Sequence, residues 1–242
     1  DGTVEIIKQF AEKYSNLKWI CEPDEGMYDA INKGFLMATG DIFAWINADD
    51  KYEQGVFQKI IKIFNEFNEI QWLKGITSYI DENSKVTKAG VCLLYKRAWI
   101  KQGFYGKDLF FIQQDSVFWR RELWEKVAPI NKSLKLAGDY WLWIQMAKHT
   151  ELYSLNEVVS YFRKSDLQLS SEMDKYYFEM NKIREDLVLE KAPWLFKQLD
   201  KIIKRGPLFY LLLKYILFYE SHCVFVNSDS SIKMEKIYKM MV

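Results

Sequence analysis

Apolar positions recur with a helical period in several stretches of this chain, and short continuous apolar runs separate those stretches. Val4, Ile7, Phe10 and Ala11 share a helical face, residues 17–21 read as a strand, and Glu22-Pro23-Asp24-Glu25-Gly26 reads as a turn. From Met27 a second helix is predicted, with Met27, Ala30, Ile31, Gly34, Phe35 and Ala38 inward, Tyr28 and Asn32 on another face, and Gly40 closing it. The run Ile42-Phe43-Ala44-Trp45-Ile46 has turn chemistry on both sides, which suits a buried strand. Residues 56–67 then return to a helical period at Ile60, Ile61, Phe64 and Phe67. The order helix, strand, helix, strand, helix predicts an α/β fold whose mostly parallel central sheet is flanked by crossover helices.

Further along, residues 70–73 are strand-like and Asp81-Glu82-Asn83-Ser84 marks a hairpin. Residues 93–107 lack periodicity and are rich in aromatics and glycine, as in a functional loop. A strand is predicted within 110–119, a short helix over 121–127, a helix over 139–148 with Tyr140, Trp143, Ile144 and Ala147 inward, and a strand over 152–162. Beyond Ser170 the pattern is helical: Ser171 with Asp174 caps a helix running to Lys191, and Pro193 and Pro207 start two more. The chain therefore divides into an α/β domain, 1–170, and a C-terminal helical extension, 171–242.

With 242 residues, 49% of them hydrophobic and 28% charged, the chain can bury a full core, which excludes a disordered class. Its net charge of +1 supplies no global field toward nucleic acid, so no nucleic-acid partner is expected. Cys21, Cys92 and Cys223 are widely spaced with no CxxC, which argues against a disulfide framework or a zinc site and for a reducing cytoplasm. The apolar stretch 208–219 is interrupted by Lys214 and is too short to span a bilayer. Lys201, Lys204 and Arg205 precede it, so the C-terminal helices either rest peripherally on an anionic membrane surface or pack on the domain. The opening Asp1-Gly2-Thr3, without a methionine, reads as the start of a fragment.

Candidate chemistry begins where the 42–46 run ends in Asn47-Ala48-Asp49-Asp50. Ligands of α/β sheets bind beyond the carboxyl ends of strands, and Mg²⁺ or Mn²⁺ prefers one or two carboxylates, with water and substrate phosphates filling its other positions. The competing reading is local: Asp50 and Glu53 have capping-box spacing before the helix at 56–67.

Residues 22–34, followed by Ala38-Thr39-Gly40-Asp41 and Asn47-Ala48-Asp49-Asp50, resemble family 2 glycosyltransferases of the GT-A fold. Residues 111–121 resemble the acceptor-side strand of that family, and Ala137-Gly138-Asp139-Tyr140-Trp141-Leu142-Trp143 resembles its catalytic-base segment. The resemblance spans about residues 1–180. It places Asp1-Gly2-Thr3 at the end of the family's second strand, with the first strand, the first helix and most of the second strand outside this chain.

By that resemblance the protein is an inverting, metal-dependent transferase. It would move a sugar from a nucleotide-diphosphate donor, a UDP-sugar above others, to a saccharide or lipid-linked acceptor in cell-surface polysaccharide or glycolipid synthesis. Asp49 matches the second acid of the family's DxD motif and is the first metal ligand for Mn²⁺ or Mg²⁺; Asn47 replaces the first acid, and Asp50 can compensate. Asp139 matches the base, with helix capping as its structural alternative. Glu22, Asp24, Tyr28, Asn32 and Lys33 fall on the donor side, where Lys33 could equally pair with Asp29 at i, i+4. Residues 161–170 resemble the loop that closes over the diphosphate; with Ser165 where many relatives carry histidine, Arg163 and Gln168 become its contacts. Gln113, Gln114, Arg120 and Trp119 fall on the acceptor side, although core packing is the commoner fate of a tryptophan and solvation of an arginine. Asn47 also admits a reading from another class, an inactive carbohydrate- or nucleotide-binding remnant of the fold.

Overall fold

The computed structural model describes residues 2–106, 108–164, 172–191 and 219–239. The elements in chain order are α1 (Thr3–Lys13), α2 (Met27–Met37), β1 (Ile42–Phe43), β2 (Lys51–Tyr52), α3 (Val56–Glu66), β3 (Trp72–Ile80), β4 (Val86–Lys88), α4 (Arg97–Lys101), a 3₁₀ turn (Gln114–Ser116), β5 (Val117–Arg120), α5 (Arg121–Val127), α6 (Gly138–His149), β6 (Tyr153–Arg163), α7 (Met173–Lys191), β7 (Tyr219–Val226) and β8 (Ile232–Lys239).

Alternation along the central strands sorts their side chains into two cores. On β3 and β5, Trp72, Val117 and Trp119 face one side and meet Phe35 of α2, Trp124 of α5 and Trp143 of α6. Leu73 and Phe118 point the other way, onto Val56, Ile60, Ile63 and Phe64 of α3. Those four α3 residues are spaced four, three and one apart, so they form one stripe, and burying such a side chain stabilises by about 1.5–3 kcal/mol. The result is helix, sheet, helix, with aromatic rings filling the α2/α5/α6 layer: Phe35 lies 4.4 Å from Trp124, and Trp45 stacks on Trp143 at 6.2 Å.

The sheet order is β1-β5-β3-β6-β7-β8, with β2 added to β6 and β4 to β3. Among the described strands β3/β6 and β6/β7 pair parallel and the other pairs antiparallel. The sheet is thus mixed rather than mostly parallel, because β1 pairs antiparallel with β5. The α/β class stands. Around β6 the neighbours divide by position, β7 beside Ser154 and Leu155 and β2 beside Ser160 and Tyr161. The carboxyl ends of β3 and β6 consequently open beside the 47–52 segment.

Three local expectations change. Residues 17–21 form no strand among the described residues; Leu17, Trp19 and Ile20 stay exposed with no neighbouring strand to pair with. Asp50 does not cap α3, whose N-cap is Gly55 in the left-handed region at φ 75°, with no side-chain hydrogen bond. The extension after Ser170 is not wholly helical, since β7 and β8 form a hairpin that continues the sheet. Its turn, Asn227-Ser228-Asp229-Ser230, carries the polar hairpin signal, with Asn227 N–H bonded to Ser231 O at 2.9 Å. Cys223 of that hairpin is buried, with its Sγ 3.7 Å from that of Cys92. The helices predicted from Pro193 and Pro207, and the basic and apolar residues between 201 and 213, lie outside the described residues. Among the described residues no helix is long and apolar enough to cross a membrane.

Candidate active site

Asn47, Asp49 and Asp50 sit on a tight turn beyond the sheet, closed by Asp50 N–H to Asn47 O at 3.2 Å. What fixes this turn is Arg163, the last residue of β6. Its backbone N–H donates to Asp50 Oδ1 at 2.9 Å and its Nε to Asp49 O at 2.8 Å. The same guanidinium donates to Asp81 O, Glu82 O and the Ser84 hydroxyl of the β3–β4 hairpin. Arg163 therefore ties the acidic turn to that hairpin, a role that spacing could not disclose. Gln168 lies outside the described residues.

Beneath the turn lies a buried polar group absent from the sequence-level expectations. Asp115 is 2% exposed and accepts a hydrogen bond from the Ser160 hydroxyl, with Lys74 buried nearby. Burial pushes the Asp115 carboxyl up and the Lys74 ammonium down to about 8, while their mutual attraction opposes both shifts. Burial also pushes Asp50 up to about 7; the Arg163 N–H opposes the shift, and Asp115 and Asp49 add to it. The only sequence signal for Asp115 is a polar run, Gln113 to Ser116, inside an otherwise apolar segment.

A divalent cation suits this turn chemically. Asp49 and Asp50 supply two carboxylates and Asn47 a neutral amide oxygen, the hard set that leaves room for phosphate and water. Asp50, partly desolvated beside two other acids, would lose its electrostatic penalty on meeting a cation. Among the described residues no cluster of three or more His, Cys, Asp or Glu could hold a metal by itself, so substrate oxygens would have to complete the shell.

Asp139 occupies the first turn of α6 and is half-buried. The Tyr176 hydroxyl donates to its Oδ1 at 2.9 Å. Burial raises its carboxyl to about 6; the Tyr140 N–H and the Tyr176 hydroxyl pull the other way. The N-cap of α6 is Ala137, so Asp139 lies inside the first turn and not at the capping position.

The loop leading into Asp139 is held from α2. Tyr28, 2% exposed, donates its hydroxyl to Leu136 O at 2.6 Å and accepts the Gly138 N–H at 2.8 Å. Its ring lies flush on Gly138, where an added Cβ would come within 2.4 Å of Cζ, so only glycine fits before Asp139. One turn along α2, the Asn32 amide donates to Ile130 O at 2.8 Å and accepts the Ile130 N–H at 2.9 Å. Tyr28 and Asn32, expected on the donor side, thus share a helix face that grips the loop carrying Asp139. Asn32→Ala leaves a backbone donor and acceptor at Ile130 without their partner and is expected to cost about 2 kcal/mol. A chemical denaturation midpoint unchanged by the substitution would show that the amide bridge contributes nothing.

Glu22, Asp24 and Lys33 gather at the start of α2. Lys33 Nζ lies 2.9 Å from Glu22 and 3.3 Å from Asp29, and Asp24 Oδ1 accepts the Gly26 N–H at 2.8 Å. Gln113 donates to the Tyr79 hydroxyl at 3.0 Å and Gln114 to Trp45 O at 2.6 Å. A contact path joins the two acidic centres: Asp50 to Arg163 and the β3–β4 hairpin, Tyr79 at the end of β3 to Gln113, then Phe111 against Tyr176, which holds Asp139.

Two expected acceptor residues are elsewhere. Trp119 is fully buried in the aromatic core, because β5 alternation turns it inward. Arg120 lies at the other end of β3, where β5 pairs with Trp72. It donates to Ile70 O, Phe64 O and Phe67 O, and so terminates α3. Conversely, Tyr176 and Glu179 of α7 reach the site with no local signature. The Glu179 carboxylate accepts the N–H groups of Lys135, Leu136 and Ala137.

The model of glycosyl transferase family 2 matches residues 1–127. An uncharacterized glycosyltransferase of Nostoc sp. is 26% identical over 177 residues, covering 67% of this chain and 52% of that protein. The chain thus spans about half the length of this curated relative. The crystal structure of S. aureus TarS 1-349 in complex with UDP-GlcNAc superposes with a TM-score of 0.57 at 13% identity, covering 80% of this chain and 56% of that one. Another S. aureus TarS structure gives 0.51 at 12%, covering 78% and 32%. At these identities the likeness is one of fold.

Proposed function

The chain belongs to glycosyltransferase family 2, and from that premise we propose that it transfers a sugar from a nucleoside-diphosphate donor to an acceptor hydroxyl. One observation carries the reading: Asp139 is a half-buried carboxylate with its pKa raised to about 6, held by the Tyr176 hydroxyl and the Tyr140 N–H. A base is effective when its pKa lies near the working pH and its geometry is fixed.

In the proposed reaction Asp139 takes the proton of the acceptor hydroxyl. The acceptor oxygen bonds to the anomeric carbon as the bond from that carbon to the diphosphate oxygen breaks, and the nucleoside diphosphate leaves with the electron pair. One such in-line displacement inverts the anomeric centre. Asp49, Asp50 and Asn47 would hold Mg²⁺ or Mn²⁺, which when bound stabilises the charge of the leaving diphosphate. Arg163 keeps that turn in place. Glu22, Asp24 and Lys33 serve the donor, Gln113 and Gln114 the acceptor, and Tyr28 and Asn32 the loop that aims Asp139. The TarS structure was solved with UDP-GlcNAc, which favours a UDP-sugar donor here. The acceptor class best suited to such chemistry is a saccharide or lipid-linked saccharide.

Calorimetry with UDP and Mn²⁺ tests the donor half directly. Cation-dependent binding is the expected result. Absence of UDP binding both with and without Mn²⁺ would overturn the UDP assignment, and absence with every nucleoside diphosphate would leave an inactive remnant of the fold.

A further inference from the structure

We infer that Tyr176 and Glu179 of α7 are positioning residues for Asp139: the Tyr176 hydroxyl sets the orientation of its carboxylate, and Glu179 anchors the loop that carries it. This inference rests on the reading of Asp139 as the base.

Tyr176 and Glu179 are three residues apart on α7 and so share a face. Each makes a different kind of contact with the same short segment. Tyr176 donates to Asp139 Oδ1 at 2.9 Å. Glu179 receives three successive backbone N–H groups, from Lys135 at 2.8 Å, Leu136 at 2.9 Å and Ala137 at 2.8 Å. Converging N–H groups of this kind form a cradle for an anion, and this one lies just before the positive end of α6. From the opposite side Tyr28 grips Leu136 O and the Gly138 N–H. The segment before Asp139 is therefore clamped between α2 and α7.

The polar contacts are separable from the packing of α7. Met180 and Ile183 are buried against Ala137, Tyr140 and Ile144, which docks the helix through apolar area. Removing one hydroxyl leaves that area intact. Something other than docking is thus needed to explain a phenol aimed at a carboxylate.

The titratable groups facing Asp139 are Tyr28 from α2 and Tyr176 and Glu179 from α7, while the Tyr140 hydroxyl of α6 donates to Gly103 O. Burial holds the Tyr28 and Tyr176 phenols above their ordinary range, so both stay neutral donors. Glu179 is the one carboxylate among them, and its charge raises the proton affinity of Asp139 while the Tyr176 hydroxyl lowers it. Two residues on one helix face thus act on one base with opposite sign. A fixed carboxylate presents one lone pair to the acceptor, where a free rotor would divide its time among several directions.

The test is a ¹³C NMR titration of the Asp139 carboxyl in the whole chain, for Tyr176→Phe and Glu179→Gln, with the pH dependence of kcat/KM alongside. Tyr176→Phe is expected to move the Asp139 titration and the acid limb of the profile upward by about one pH unit. It should lower kcat about tenfold with little change in donor KM. Glu179→Gln is expected to move the titration downward. If Tyr176→Phe does not fold, the direction of the Glu179→Gln shift decides alone. Titrations unchanged in the folded variants, with kcat within about twofold of the parent, would overturn the inference. Shifted titrations in a protein whose Asp139→Asn variant still transfers sugar would instead remove the base assignment and leave the positioning contacts standing.

Discussion

Asp139→Asn is expected to lower kcat for sugar transfer by about a hundred- to ten-thousandfold while the donor still binds. Asparagine has the same shape, and its amide oxygen can still accept the Tyr176 hydroxyl, so the substitution removes basicity and leaves the geometry. The stability effect should run the opposite way. The folded-state pKa of Asp139 is about 6, above the ordinary 3.8, so the folded chain holds this proton more tightly than the unfolded one. Its favourable contribution is present below about pH 4 and is lost as pH rises through about 6. At pH 8 the parent carries a desolvated carboxylate that asparagine does not. Denaturation at pH 8 should therefore find Asp139→Asn at least as stable as the parent, an exchange of stability for activity common at catalytic groups. In the parent, activity should climb as pH rises through about 6, when the carboxylate forms. A variant that keeps within about tenfold of the parent rate would dismiss Asp139 as base.

Neutralising Asp49 and Asp50 together, as Asp49→Asn with Asp50→Asn, is expected to abolish Mn²⁺-dependent UDP binding and lower transfer by about a hundred- to a thousandfold. The turn itself should survive. Arg163 reaches it through its own N–H to the residue-50 side-chain oxygen and through its guanidinium to the Asp49 carbonyl, and both acceptors persist in the double variant. The loss would then report charge. Calorimetry with UDP across Mn²⁺ concentrations separates the outcomes: cation-dependent binding equal to the parent's would detach this turn from the donor site.

Much of the architecture was legible because it depends on residues close in sequence. The helices at 27–37, 56–66, 121–127 and 138–149 and the strand at 153–163 follow their apolar periods. Other features were not legible, because a competing long-range contact overrode the local signal. Asp50 and Glu53 have the spacing of a capping box, yet Asp50 is drawn to the end of β6 and Glu53 to the Tyr161 hydroxyl, leaving Gly55 to open α3. Arg120 and Trp119 lie in a polar and aromatic run typical of a binding edge. Strand alternation and the carbonyls at the end of α3 claimed both.

The sequence alone determined the α/β class, the acidic turn after the 42–46 run and the glycine-aspartate pair opening α6. Each is written in adjacent residues or in a helical or strand period, which backbone geometry translates directly. Only the tertiary structure decided which distant residues hold them. Tyr28 meets Gly138 across 110 positions, Arg163 meets Asp50 across 113, and Tyr176 meets Asp139 across 37. Single hydrogen bonds between distant residues leave no period and no spacing behind them, since they are set by how the helices pack on the sheet. The contacts of α7 with Asp139 and with the loop before it belong wholly to that second kind of information.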